Sequence, residues 1–176
     1  MMRFFAFKAF AHPALGSGRF THYARMDTDS FFTTHLAVDP FMEAERLGAL
    51  YGFSMLWNDQ PGMTGGMGGA VAGWLREQGR VPAGGGLWKA IMGSEWDSTA
   101  PDGGARYNGD QFWNNFEVVD LRFVQSKDYW SLLDAIDKTE LMYTVRLGDA
   151  CIRTAAVAAL VPDHMVRSLS YVGYQH

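Results

Sequence analysis

One cysteine, Cys151, leaves no partner for an internal disulfide and rules out a multi-cysteine zinc site. Basic residues are also short: 15 Lys and Arg stand against 19 Asp and Glu, and the net charge of -4 offers nucleic acid no basic surface. No apolar run approaches the ~20 residues of a membrane helix. The longest, "AAVAALV" at 155–161, is far shorter and ends at Pro162. The opening "MMRFFAFKAF" interleaves Arg3 and Lys8 with its apolar positions and has no small-residue cleavage site, so it reads as an amphipathic helix rather than a signal peptide. What remains is globular: 48% hydrophobic, 14% aromatic and 19% charged over 176 residues, the size of one domain.

Strand and helix patterns alternate, which predicts an α/β fold with a mixed sheet flanked by helices. The opening helix stops at "HPALGSG", where Pro13 disfavours helix at His12, and "RFTHYARM" alternates as a strand. "SFFTTHL" is a short returning strand. "DPFMEAERLGAL" begins a helix with Asp39 at the N-cap and Pro40 in the first turn. "YGFSMLW" reads as a buried strand, "GMTGGMGGAVAGWLREQG" as a glycine-rich loop entering a helix, and "VPAGGG" as a second loose glycine run. Further on come a long strand "NNFEVVDLRFV", a helix "SKDYWSLLDAID" with Tyr129, Leu132, Leu133 and Ile136 on one stripe, an alanine-rich helix "GDACIRTAAVAALV" and a final strand "MVRSLSYVGY".

Several residues are placed where chemistry is done. Asp27 and Asp29 lie one residue apart at a strand's carboxyl end. They hold either an Asx-type turn or a divalent cation against a diphosphate, since ligands of α/β sheets collect at strand ends. A calcium loop is excluded, because Phe31 and Phe32 occupy the positions that need an oxygen ligand and a glycine. The glycine run lacks the G-x-G-x-x-G spacing of a dinucleotide fingerprint and has no acidic residue about 20 residues on, so a nicotinamide-linked oxidoreductase is a minor alternative. Glu117 shares a strand face with Val119, Leu121 and Phe123, where an ionised carboxylate needs a partner. It is either a strand-end residue outside the core or the floor of a cleft. "YNGDQFWNNF" before it supplies amides and indoles of the kind that bind sugars. Asp149 and Arg153 have the i, i+4 spacing of an exposed helical ion pair, although Arg153 could instead meet a phosphate. His176 follows the last strand, where a chain end can fold over a cleft.

Three stretches together resemble the fungal-type α-1,2-mannosyltransferases of the Golgi. "MMRFF…HPAL…HYARMDTDSFF…DPF" resembles that family's M-C-R-F…H-P…Y-Y-W-R-V-E-P…D-P-F. "YNGDQFWNNFEVVDL" is similar to its Y-N-x-C-H-F-W-S-N-F-E-I, and "RLGDACIRTAAVAALVP…VGYQH" to R-W-G-D-A-P-V-H-S-I-A-A-A…I-G-Y-x-H. The resemblance implies a single glycosyltransferase-like domain over 1–176 with a nucleotide-diphospho-sugar transferase (GT-A-like) fold lacking its first βα segment. It further implies retaining, manganese-dependent transfer of a hexose from a GDP-sugar, GDP-mannose in that family, to a glycan acceptor in the Golgi lumen. Longer family members carry an N-terminal membrane anchor, so the chain corresponds to a piece of such an enzyme or to a short form.

Carried over by position, Asp27 takes the place of the family's metal-binding glutamate, with Asp29 beside it, and Glu117 that of the glutamate acting at the anomeric carbon. Tyr107, Asn108, Trp113 and Asn115 fall on motif positions and are expected to hold sugar. Arg153 stands in place of a metal-binding histidine, Val145 in place of an acidic residue, and Thr34 and Asp110 in place of two cysteines. A guanidinium has donors only and cannot ligate a metal. Either His176 turns toward the cation, or the cation keeps extra waters and Arg153 takes part of the phosphate charge. The terminal position of His176 favours the second. A non-catalytic glycan-binding module is the alternative from another class.

Overall fold

The computed structural model describes residues 2–59 and 65–176, so residues 62–64 of the first glycine run lie outside the described part. A four-stranded mixed sheet, ordered β1 (His22–Met26), β6 (Phe116–Asp120), β3 (Tyr51–Phe53), β7 (Val166–Ser168), forms the centre. Only β3 and β7 run parallel. Two ribbons flank it: β2 (Phe31–Phe32) pairs with β8 (Tyr174–Gln175), and β4 (Leu56–Asn58) with β5 (Asp110–Phe112). This is the α/β architecture with a mixed sheet that the alternating pattern predicts.

The two faces of the sheet carry different layers. One packs on α8 (Asp149–Leu160), which also touches α1 (Met2–Ala6), α3 (Met67–Glu77), α4 (Gly85–Met92) and α6 (Lys127–Lys138). All of α8 from Cys151 to Ala159 is buried, and its small residues let neighbours close in on every side. The stripe Tyr129, Leu132, Leu133 and Ile136 of α6 is fully buried, as expected, and Ser126 caps that helix by accepting from Tyr129 N at 3.1 Å. The other face holds a smaller apolar cluster of Ala44, Ala49, Phe116, Val118, Leu169 and Val172. Beside it lies α2 (Pro40–Arg46), with Asp39 accepting from Phe41 N at 2.8 Å as its capping position predicts.

Four elements depart from expectation, one of them the final strand "MVRSLSYVGY", which divides into β7 in the central sheet and β8 on a ribbon. The long strand stops at Asp120, whose carboxylate accepts from Arg122 N at 2.8 Å and starts α5 (Leu121–Val124), so Leu121 and Phe123 leave the face they were expected to share with Glu117. "YGFSMLW" divides into β3, inside the sheet, and β4, exposed on a ribbon. In "VPAGGG" residues 81–84 are irregular as read, but Gly85 and Gly86 already open α4. Its cap comes from far along the chain, since Asp163 accepts from Gly86 N at 2.8 Å and Leu87 N at 3.0 Å. A Cβ at Gly84 would come within 2.8 Å of the Val161 carbonyl, so the close approach that permits this cap requires glycine.

Candidate active site

Antiparallel register places Arg25 of β1 opposite Glu117 of β6, with Phe53 of β3 on the other side. Tyr23, Arg25, Asp27, Asn115, Glu117 and Tyr51 therefore share the face that meets α8. Glu117 is 1% exposed. Its Oε2 accepts from the Tyr51 hydroxyl at 2.9 Å and lies 3.5 Å from Arg153 Nε. Arg153, equally buried, donates from Nη1 to the Tyr129 hydroxyl at 2.5 Å and from Nη2 to the Phe5 carbonyl at 3.3 Å, with its guanidinium over the Phe10 ring at 4.5 Å.

Arg153 is thus not an exposed partner of Asp149: its guanidinium is turned inward onto Glu117, Tyr129 and the Phe5 carbonyl. The i, i+4 spacing is there, but packing turns the guanidinium inward to a carboxylate that sequence distance conceals. Burial pushes Glu117 above the ordinary carboxylate value, and the Arg153 charge opposes that shift. Burial alone would lower the arginine, but Glu117 and Tyr129 outweigh it and leave Arg153 raised. Because arginine does not discharge, neutral Glu117 would strand a lone buried cation, so the ion pair is the state we assign at neutral pH. Tyr129 is pushed up to about 12 by burial and remains a phenol.

A second arginine continues the network toward the rim. Arg25 donates from Nε to Asp27 Oδ1 at 2.8 Å and from Nη1 to Asp149 Oδ2 at 2.5 Å, and Asn114 Nδ2 holds the same Asp149 oxygen at 2.9 Å. Arg25, Asn114 and Tyr51 were not singled out from sequence, and Asp149 and Tyr129 were read only as half of an exposed helical pair and as part of a core stripe. Arg25 alone had a signal, being two residues from Asp27 in an alternating strand and so on its face.

Beyond Asp27 the chain turns, with Ser30 N donating to the Asp27 carbonyl at 3.1 Å. The Asp27 side chain lies on Arg25 rather than capping the turn, so the Asx-type reading does not describe it. Asp29 points outward at 75% exposure, and Nδ1 of His176, the chain's last residue, lies 3.4 Å from its Oδ1. Asn115 holds the imidazole at 3.0 Å, Ser30 approaches it at 3.1 Å, and the Trp113 ring lies 5.6 Å away. With β8 paired to β2 the chain end is fixed, which reverses the preference drawn from its terminal position.

Among the described residues no three His, Cys, Asp or Glu gather as a ready-made metal cage. The pair Asp29 and His176, with Asp27 still 26% exposed beside them, suits instead an ion that brings waters and diphosphate oxygens with it. Charge agrees: Arg25 and Arg153 face Glu117, Asp27 and Asp149, which leaves one carboxylate in excess before Asp29 is added.

Two expected sugar ligands are occupied within the fold. The Tyr107 hydroxyl donates to the Asp110 carbonyl at 2.8 Å, and Asn108 Nδ2 donates to the Ala90 carbonyl at 2.8 Å and Asp110 Oδ2 at 2.9 Å. They tie down the approach to β5 rather than facing a ligand. Trp113 and Asn115 stay at the half-buried rim. The glycine run leads from β4, on an outer ribbon, rather than from a central parallel strand, so it has no dinucleotide-site geometry. A groove of about 730 Å³ lined by Leu75, Arg80, Arg122 and Met165 lies at the opposite end of β6 and contains none of these residues.

A core of this shape recurs in solved mannosyltransferases. Core-mannan synthase A of Aspergillus fumigatus, in its Mn/GDP form, superposes with a TM-score of 0.86 at 23% identity over all of this chain and 47% of that one. Mannosyltransferase Ktr4p of Saccharomyces cerevisiae, in complex with GDP, does so at 0.85 and 24%, over 44% of its length. Residues 1–176 match the glycolipid 2-alpha-mannosyltransferase family throughout, and the chain belongs to that family. O-glycoside alpha-1,2-mannosyltransferase homolog 2 of Schizosaccharomyces pombe is 25% identical over the full chain and 45% of its own length. Glycolipid 2-alpha-mannosyltransferase 1 of Candida albicans is 35% identical over 80 residues, 46% of this chain and 19% of its own. The chain spans about half the length of the relatives it matches end to end.

Proposed function

We propose that the chain forms the catalytic half of a retaining glycosyltransferase that moves mannose from GDP-mannose onto a glycan in the secretory pathway. The observation that carries this reading is Glu117, an ion-paired carboxylate buried beneath a strand end that presents Asp27, Asp29 and His176 together. In transfer, positive charge develops at the anomeric carbon and negative charge on the departing diphosphate. A fixed carboxylate below the sugar serves the first. Asp29 and His176, with Asp27, would hold a manganese ion that supplies charge neutralisation for the second. Buried Cys151, pushed up to about 12 by burial, is inert and compatible with an oxidising lumen.

The test is mannosyl transfer from GDP-mannose by the longest natural form of the protein, with and without Glu117→Gln. The variant leaves Arg153 without its carboxylate and is destabilised, so its fold is checked by circular dichroism at the assay temperature; while folded it is expected to lose turnover by orders of magnitude, and near wild-type turnover would remove Glu117 from the reaction. A second reading, a glycan-binding module without transfer, is favoured by one observation: Oε2 of Glu117 already carries both Tyr51 and Arg153. It predicts glycan binding indifferent to EDTA and to Asp27→Asn.

A further inference from the structure

Arg153 lies buried beneath the site without a part in the proposed transfer. Its guanidinium is anchored by the core: the Tyr129 hydroxyl accepts from Nη1 at 2.5 Å, the Phe5 carbonyl accepts from Nη2 at 3.3 Å, and the Phe10 ring lies 4.5 Å away. Its Nε makes no hydrogen bond among the described residues and lies 3.5 Å from Oε2 of Glu117, the oxygen that the Tyr51 hydroxyl also reaches at 2.9 Å. Each element around Glu117 bears on its charge: Tyr23 and Arg25 from β1, Tyr51 from β3, Tyr129 from α6, and Asp149 with Arg153 from α8. The tyrosines are raised above their ordinary value by burial and are neutral at pH 7. Arg25 is engaged by Asp27 at 2.8 Å and by Asp149 at 2.5 Å. Arg153 is therefore the cation left to answer Glu117, and with both side chains 1% exposed little solvent screens the pair.

We infer that Arg153 is a positioning residue for transfer: anchored in the core, it holds Glu117 by Oε2 as a carboxylate and leaves Oε1 for the sugar. Ionisation is what the reaction needs from this group. A carboxylate offsets positive charge at an anomeric carbon, whereas the neutral acid offers only a dipole. Burial works against ionisation, and the guanidinium works for it. The fork also fixes direction, because the groups on Nη1 and Nη2 belong to α6 and α1 and do not move with the sheet edge that carries Asp27. Transfer should therefore be present above the folded titration midpoint of Glu117 and be lost as pH falls through it. This rests on the glycosyltransferase reading, so one arm of the test observes Glu117 itself and needs no turnover.

That arm is ¹³C NMR of the chain labelled at the glutamate side-chain carboxyls and titrated with pH. The other glutamates are exposed or half-buried, so Glu117 is the signal that departs from the ordinary titration. Wild-type Glu117 is expected to be a carboxylate at pH 7, Arg153→Lys to keep it so, and Arg153→Gln to raise its midpoint by about 1–3 pH units. The second arm is the pH profile of mannosyl transfer by the longest natural form. Its acid limb should move up by the same amount in Arg153→Gln and stay near wild type in Arg153→Lys, with KM for GDP-mannose unchanged. A merely structural arginine would instead lower the rate at every pH and leave the limb where it was. A protonated Glu117 in the wild type at pH 7 overturns the proposal without any variant having to fold, as does a limb that Arg153→Gln leaves in place. Absence of transfer by the wild type, with the expected carboxyl titrations, overturns the transferase reading and not the hold of Arg153 on Glu117.

Discussion

Two acid–base pairs lie along the same end of the sheet at nearly equal separations. Arg153 and Glu117 are 3.5 Å apart and each 1% exposed, while His176 and Asp29 are 3.4 Å apart at 29% and 75% exposure. Distance alone would rank them alike, yet environment makes them opposites. The inner pair has lost its water, so each charge depends on the other and on Tyr51, Tyr129 and the Phe5 carbonyl. The outer pair keeps its water and contributes little to stability, which leaves it free to meet a ligand. A buried charge is spent on the fold, and a rim charge is available for chemistry.

The largest expected effect breaks the inner pair. Arg153→Met leaves Glu117 as an unpaired buried carboxylate and should cost about 3–5 kcal/mol of unfolding free energy, measured by denaturant titration. The cost should be greater at pH 7 than at pH 5, where Glu117 can take up a proton. Equal losses at both pH values would mean that the pair is not held by charge.

Next comes Glu117→Gln, read as a slope rather than a loss. Burial raises Glu117 above its ordinary value of 4.5, so the folded state binds this proton more tightly than the unfolded chain does. Stability from this group is complete below about 4.5 and falls as pH rises through the folded value. The variant lacks that group, so its stability curve should be flatter than wild type across this window. A parallel pair of curves would place Glu117 in contact with water.

Asp149→Asn sharpens the boundary between the two regions, because it weakens the clamp on Arg25 from one side only. A loss of about 1–3 kcal/mol is expected in thermal or chemical unfolding, short of the Arg153 effect. The smallest change is His176→Ala, which should alter stability by less than about 0.5 kcal/mol, as substitutions of exposed groups commonly do.

The legible part of the fold was what local chemistry decides. Asp39 followed by Pro40, the 129–136 stripe and the alternation of 19–26 each fix an element through neighbours in sequence, and each element is found, the strand starting at His22 rather than Arg19. Glu117 was legible for the same reason, as a carboxylate out of place on an apolar strand. The rest depends on contacts between distant segments. α4 was hidden because Asp163 caps it from about 80 residues away. Arg153 looked like half of an exposed helical pair because its true partners, Glu117 and Tyr129, belong to other elements. His176 looked free because β8 pairs with β2, a contact spanning most of the chain.

The most direct test of the division between spent and available charge is calorimetric titration of manganese in the presence of GDP, comparing wild type with Asp29→Ala and His176→Ala. The account predicts binding that requires GDP, is abolished by Asp29→Ala and is weakened by about tenfold or more by His176→Ala, with both variants folding as wild type does. Manganese binding that survives both substitutions unchanged would contradict it, since the cation would then be held away from this rim.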